Sequence, residues 1–470
     1  MFSVRSRAVS RLAAATVASG LVAAGVLTGA GTAVADEAAA GHPGGASATL
    51  SGLKTYDQAV IRGEGRDQKV SAGLFEMVVD GGGSLQTYCI DIHNPTQKEA
   101  KYRETAWDAT SLNANKDAGK IRWILQNSYP QVNDLAALAS KAGAGALTEK
   151  TAAAGTQVAI WRYSDGADVE ALDPAAEKLA DYLEQSAQAL AEPKASLTLD
   201  PPAVSGKAGE KLGPVTVHTD AGSVSVTGPA DASAGVTVVD EAGKPVTEAA
   251  DGSRLFFDVP ATEEGAEHSG SAALTVQAST TVPVGRAFAS DTKSQTQILA
   301  GSSESTVSAT ATAHWAGKGA IPAVSAEKNC SASGIDLTAS NQGDEDFTFE
   351  LMGVKHTIGA GKTQTVTVPL KEDQAYDFTI TGPNGFEKRV TGVLDCKTAG
   401  ETGAGGGAQP SSEPSPASAG STPAGGAGED LAATGGSSAT PVIGGIAVAL
   451  VVIGGATVFL LRRKKVSAES

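Results

Sequence analysis

Residues 196–323 are cut into short alternating runs, among them Val215-Thr216-Val217, Val224-Ser225-Val226, Val236-Thr237-Val238-Val239, Leu255-Phe256-Phe257 and Ala273-Leu274-Thr275-Val276, with Gly, Asp and Pro between them. Runs this short with a period of two are too brief for helices. They make narrow strands that need distant partners, and the frequent turns favour an antiparallel β-sandwich. A second stretch, residues 324–397, carries strand candidates at 346–351, 363–369 and 375–381 and predicts another antiparallel β-sandwich module, both of them Ig-like. With 56 Gly and aromatics at 4% of 470 residues, the chain predicts several thinly cored modules and excludes one large enzyme core.

The two ends set the expected compartment. Residues 1–35 read as a secretory signal: Arg5, Arg7 and Arg11 are basic, Leu12 to Leu27 are small and apolar, and Ala33-Val34-Ala35 offers a cleavage site. Residues 442–461 are apolar over a membrane-spanning length and are closed by Arg462, Arg463, Lys464 and Lys465, which predicts a single crossing with the bulk of the chain outside. Residues 398–430 are mainly Gly, Ala, Ser and Pro, too poor in apolar area to offset the entropy of ordering, and predict a disordered linker. Between linker and span stands Leu431-Ala432-Ala433-Thr434-Gly435. The order pentapeptide, apolar span, basic tail over residues 431–470 resembles a sortase signal of Gram-positive surface proteins, in the L-A-x-T-G form familiar from actinobacteria. The resemblance implies that a sortase cuts between Thr434 and Gly435 and joins Thr434 to peptidoglycan. The protein is then secreted and attached to the cell wall, with a membrane-spanning precursor. A plain transmembrane protein is the alternative.

Asp and Glu number 52 against 36 Lys and Arg, a net charge of −16. Such a surface repels phosphate, so no nucleic-acid partner is expected. Three cysteines and six histidines show no zinc or redox spacing, so neither a metal nor a cofactor is expected. Outside the cell Cys330 and Cys396 are expected to pair, clamping module 324–397, a closure worth ~4 kcal/mol in the chain-entropy model. Cys89 is then left over, and a lone thiol on an exported protein invites oxidation unless something masks it.

Residues 74–80 read as a strand, Gly81-Gly82-Gly83 as a turn and residues 85–92 as the return strand. The two-residue period places Tyr88, Ile90 and Ile92 on one face and Thr87, Cys89 and Asp91 on the other. Residues 152–163 read as a helix on which the neighbours of Gln157 at three and four residues are Ala153, Ala154, Ile160 and Trp161, so a glutamine there is an anomaly. Periodicity alone favours an amide bonded to nearby backbone. Residues 118–128 and 174–191 carry helical apolar stripes and read as core.

The pair Tyr88-Cys89-Ile90-Asp91 and Thr156-Gln157-Val158-Ala159-Ile160-Trp161 resembles the cysteine and T-Q-x-A motifs of the thioester domain of Gram-positive surface adhesins, over residues 48–195. The resemblance implies an α+β head in which Cys89 and Gln157 form an internal thioester that an amine on a partner opens, leaving a covalent bond and no turnover. Asp91 and His93 are candidates to assist the nucleophile. The expected architecture is thus signal 1–35, thioester head 48–195, sandwich 196–323, clamped β module 324–397, linker 398–430 and the membrane-spanning sorting segment. Two rivals stay open: a structural coat or stalk protein with an ordinary thiol at Cys89, and a secreted cysteine hydrolase pairing Cys89 with His93.

Overall fold

The computed structural model describes residues 44–63, 66–230, 235–261 and 269–397. The expected signal 1–35, linker 398–430, pentapeptide 431–435 and span 442–461 lie outside the described residues. Among the described residues no helix is long and apolar enough to cross a membrane.

The head is a β-barrel with helices packed on it. Strands β1 (Ser47–Ile61), β2 (Gln68–Val79), β3 (Ser84–Cys89) and β4 (Lys101–Thr105) come from the first part of the chain, and β5 (Val169–Ala171) pairs antiparallel with the end of β1. In β2 the side chains of Val70, Ala72 and Leu74 are buried and then, shifted by one residue, those of Phe75, Met77 and Val79. Gly81, Gly82 and Gly83 all take positive φ at the turn into β3, a conformation that costs glycine little. β1 pairs with β2 along most of its length and with β4 through Ser47–Thr49. The ring between β3 and β4 is closed by two strands from far downstream, Ala287–Ser290 beside β4 and Gln297–Ser302 beside β3.

This differs from the expected assignment of residues 196–323 wholly to a sandwich. The sandwich itself has a four-stranded sheet (Thr237–Val239, Arg254–Asp258, Lys211–Thr219, Leu197–Asp200) and a five-stranded sheet containing the long pair Gly270–Thr281 and Glu304–Ala316. That pair is antiparallel from Gly270↔Trp315 to Thr281↔Glu304, and the chain between its ends forms the two barrel strands. The longest hairpin of the sandwich therefore carries the last wall of the head at its tip. Short runs of period two look alike whichever sheet receives them, so local pattern did not separate the two destinations.

The helices fall close to expectation: Ala118–Asn127, Glu149–Ser164 and Pro174–Ser186, with Leu135–Ala142 added. The return strand ends at Cys89, not near residue 92, because the Asp91 carboxylate accepts from His93 N and turns the chain. The third helix was expected to reach residue 191. Beyond Ser186 the chain is extended, and Leu190 N donates to Gly119 O. Helix Glu149–Ser164 is capped by Thr148, whose hydroxyl accepts from Thr151 N, and twelve of its residues are buried. An almost continuous belt of Ala and Gly lets neighbours come close: a Cβ on Gly155 would stand 2.4 Å from Ala176 O. A helix apolar on all sides belongs inside the molecule, and this one packs against β1, β2 and helix Pro174–Ser186.

The module from Pro322 to residue 397 has a three-stranded sheet (Pro322–Asn329, Gly334–Asn341, Lys362–Pro369) and two hairpins around its own core of Ile335, Leu337, Phe347, Ile380 and Leu394. Cys330 and Cys396 are joined, as expected. The module bonds to the sandwich through Lys207 Nζ to Asp344 Oδ2 and to the head through Cys330 N to Asp108 O and Asn113 Nδ2 to Ser331 Oγ.

Candidate functional site

Cys89 ends β3, and Gln157 lies in the middle of the buried helix, 1% and 0% exposed. The Gln157 carboxamide engages the cysteine from both sides of its backbone. Gln157 Oε1 accepts from Cys89 N at 3.1 Å, and Gln157 Nε2 donates to Cys89 O at 2.9 Å. The Cys89 thiol stands 3.4 Å from the same Oε1. These bonds satisfy a buried amide and, in doing so, hold its carbonyl against the sulfur. The N–H of Cys89 polarises that carbonyl and is placed to stabilise an oxyanion when sulfur or nitrogen adds to the carbon. The threonine of the motif anchors the helix: Thr156 Oγ1 donates to Ala152 O at 2.7 Å and meets Ser128 Oγ at 2.6 Å.

Burial pushes the Cys89 thiol well above its ordinary pKa, and the Asp165 carboxylate adds to the shift, while the indole N–H of Trp161 works against it. Trp161 Nε1 is buried without a hydrogen-bond partner among the described residues, and its N–H favours charge on the sulfur. A sulfur whose thiolate is disfavoured is a slow leaving group. An acyl–sulfur bond in this place is therefore shielded from water both by burial and by its own chemistry.

Asp91 and His93 stand differently from one another. Asp91 is 2% exposed, and its carboxylate accepts from His93 N and Asn94 Nδ2, so it shapes the loop after β3. The His93 side chain is exposed and makes no hydrogen bond to the sulfur among the described residues. A Cys89–His93 dyad of the kind a hydrolase needs is not assembled here.

Sequence reasoning passed over three contributors. Asp165 is four residues beyond Trp161 and eight beyond Gln157, hence on the same helix face. It accepts from Ile92 N at 2.9 Å, tying the helix end to the chain just past Cys89. Gln297 pairs directly with Cys89, and its Oε1 accepts from Thr87 Oγ1 at 3.0 Å. Asp395, from the disulfide module, is reached by Thr296 Oγ1 at 3.4 Å, and Thr296 O accepts from Ile90 N.

Asp395 is pushed up to about 7, first by burial, then by Asp91, against the lowering effect of Lys328, with Glu372 and Asp373 adding repulsion. A carboxyl raised above its unfolded value near 3.9 contributes stability below that value and loses it as pH rises through about 7. Asp395→Asn is expected to stabilise the protein at pH 8 by an amount on the order of 2–4 kcal/mol and to flatten the dependence between pH 4 and 7. Denaturant midpoints across that range check it, and parallel curves for the two proteins would contradict the assignment.

Among the described residues no His, Cys, Asp and Glu side chains gather in a metal-holding group. A groove of about 660 Å³ lies elsewhere, between the sandwich and the disulfide module, lined by residues including Asp200, Glu210, Lys211, Ser325 and Thr338.

With Cys89 and Gln157 in contact at the end of a strand and the middle of a helix, the family comparison is specific. Residues 86–189 match the thioester domain. The thioester domain match includes both motifs and the helices on the barrel, and stops before the downstream strands that complete the wall. Residues 322–393, the disulfide module, match the C-terminal domain of bacterial phospholipase C. No curated protein matches the chain. Among solved structures, the Bacillus anthracis TIE protein is 15% identical with a TM-score of 0.27, covering 74% of this chain, and this chain spans 64% of it. The thioester domain of the Enterococcus faecium TIE86 protein is 17% identical with a TM-score of 0.26, covering 57% of this chain and 94% of its own. The Escherichia coli chaperone DraB is 14% identical with a TM-score of 0.17, over 42% and 98%. Scores this low leave the site to rest on its own geometry.

Proposed function

We propose that this chain is a surface adhesin whose Cys89 and Gln157 join as an internal thioester and capture an amine on a partner. The Cys89 sulfur adds to the Gln157 carboxamide, ammonia leaves, and the acyl–sulfur bond ties β3 to the helix. A partner amine then takes the acyl group, giving an amide on Gln157 and a thiol on Cys89, once per molecule. The observation that carries this reading is the double hydrogen bond by which the Gln157 amide grips the Cys89 backbone with the thiol 3.4 Å from Oε1. The match to the thioester domain supports it. The sequence of residues 431–470 supports export, cutting by a sortase and attachment to peptidoglycan, with the head outermost and the β modules as its stalk.

Intact mass tests the chemistry. Freshly exported protein is expected to weigh one ammonia less than its sequence. Methylamine is expected to add its whole mass, giving the sequence mass plus one CH2 as a methylamide on Gln157, and to release one titratable thiol at Cys89. Full sequence mass together with a thiol already titratable in native protein would refute the linkage.

A further inference from the structure

Residues 295–302 bring two glutamine side chains into the buried wall beside β3. Gln295 and Gln297 are both 0% exposed. Gln295 Nε2, Gln295 Oε1 and Gln297 Nε2 have no hydrogen-bond partner among the described residues. Buried amide groups are nearly always paired, so three open ones side by side call for a ligand or a reacting group to complete them. Their direction follows from the register. Gln297 lies opposite Cys89, and directly opposed residues of an antiparallel pair show their side chains on the same face. The bond from Ile90 N to Thr296 O carries the pairing one residue further, which puts Gln295 on that face too. Gln297 Oε1 is held by Thr87, which leaves its Nε2 as the open end of the amide. Upstream of Gln295, residues 291–293 are exposed.

We propose that Gln295 and Gln297 form the subsite that receives the primary amine and sets it against the Gln157 acyl carbon, a role that rests on the thioester reading above. Gln295 Oε1 accepts an N–H of the incoming amine and keeps its lone pair directed inward. The Nε2 groups donate to the charge that develops as the bond opens. The amine nitrogen attacks the acyl carbon, the carbon–sulfur bond breaks, and one proton passes from nitrogen to the departing sulfur. The products are the Gln157 amide and the Cys89 thiol. A subsite of neutral amides binds an uncharged amine without paying to desolvate an ammonium ion, and it has donors and an acceptor that an apolar wall lacks. It selects amines over water by holding the group that has both an N–H and a carbon arm.

The test is made on full-length exported protein bearing Gln295→Met or Gln297→Met. The ammonia deficit in intact mass is read first and reports formation of the linkage separately from its opening. Methylamine uptake and spontaneous hydrolysis are then timed on the same sample. Both variants are expected to show the deficit, to lose at least tenfold in aminolysis rate and to hydrolyse at the parental rate. A ratio of aminolysis to hydrolysis equal to that of the parent protein overturns the subsite. Gln295→Met gives up no side-chain hydrogen bond, so it decides the question by itself if Gln297→Met prevents the linkage from forming. Absence of the deficit in the parent protein rejects the thioester reading and not the subsite alone.

Discussion

Protein carrying Cys89→Ala is expected to retain full sequence mass, to take up no methylamine at Gln157, and to lose on the order of 4 kcal/mol of stability. The first two effects follow from removing the sulfur. The carboxamide then has no nucleophile beside it, and an unactivated amide does not exchange with amines. The third effect has a different origin. Cys89 and Gln157 are 68 residues apart, and a bond between them closes a loop of the unfolded chain. In the chain-entropy model this closure is worth ~4 kcal/mol, as a disulfide over the same interval would be. The small cavity left by the sulfur adds about 1 kcal/mol. Gln157→Ala should match the loss of mass chemistry and of cross-link, and should also orphan the N–H and C=O of Cys89 that the amide now bonds. Intact mass and denaturant midpoints of the parent and both variants are the measurements. Equal midpoints for parent and Cys89→Ala protein would mean that no covalent bond spans the two positions.

The motif-bearing half of the site was legible because it is local. The turn glycines join β2 to β3, the two-residue period puts Cys89 on the face of Thr87, and the apolar neighbours of Gln157 mark a buried amide. Each signal fits within a dozen residues. The other half arrives from 210 residues away, where Thr87 meets Gln297. Nothing in Gln295-Thr296-Gln297-Ile298 announces which sheet will take it, since an alternating run fits a sandwich edge as well as a barrel wall. Two glutamines at alternate positions were the available clue, for polar side chains on one face of a buried strand demand partners. Asp165 was also within reach, being on the same helix face as Gln157 and Trp161. Its partner, the N–H of Ile92, was hidden because the strand was expected to run through that residue. The disulfide needed no fold at all, only the expectation of export and two cysteines at the two ends of one β module. The contact of its module with Thr296, beside Ile90, is tertiary and had no local trace.

Glu104→Ala is expected to cost about 3–5 kcal/mol, a larger loss than any surface ion pair can produce. Glu104 sits on β4 and Arg286 just before the strand Ala287–Ser290, and their side chains are 1% and 5% exposed. Arg286 Nε donates to Glu104 Oε1 at 2.9 Å, and Arg286 Nη1 donates to Glu192 Oε1 at 2.6 Å and to Pro193 O at 3.2 Å. Glu104 also accepts from Ala46 N, from Ser196 N and from the Ser196 hydroxyl. Glu192, Pro193, Ser196 and Arg286 stand where the chain passes between head and sandwich: outward at residues 192–196, inward at Arg286. Removing the carboxylate leaves a guanidinium buried without its main counter-charge and backbone N–H groups without an acceptor. Because Arg286 positions the strand pair that bears Gln297, the loss is expected to reach the site as well as the midpoint. Glu104→Ala protein should show partial ammonia deficit and a lower denaturant midpoint, whereas Arg389→Ala, which breaks an exposed pair with Asp377, should shift the midpoint by less than about 1 kcal/mol. Equal effects of the two substitutions would show that the buried network does not hold the head to the sandwich.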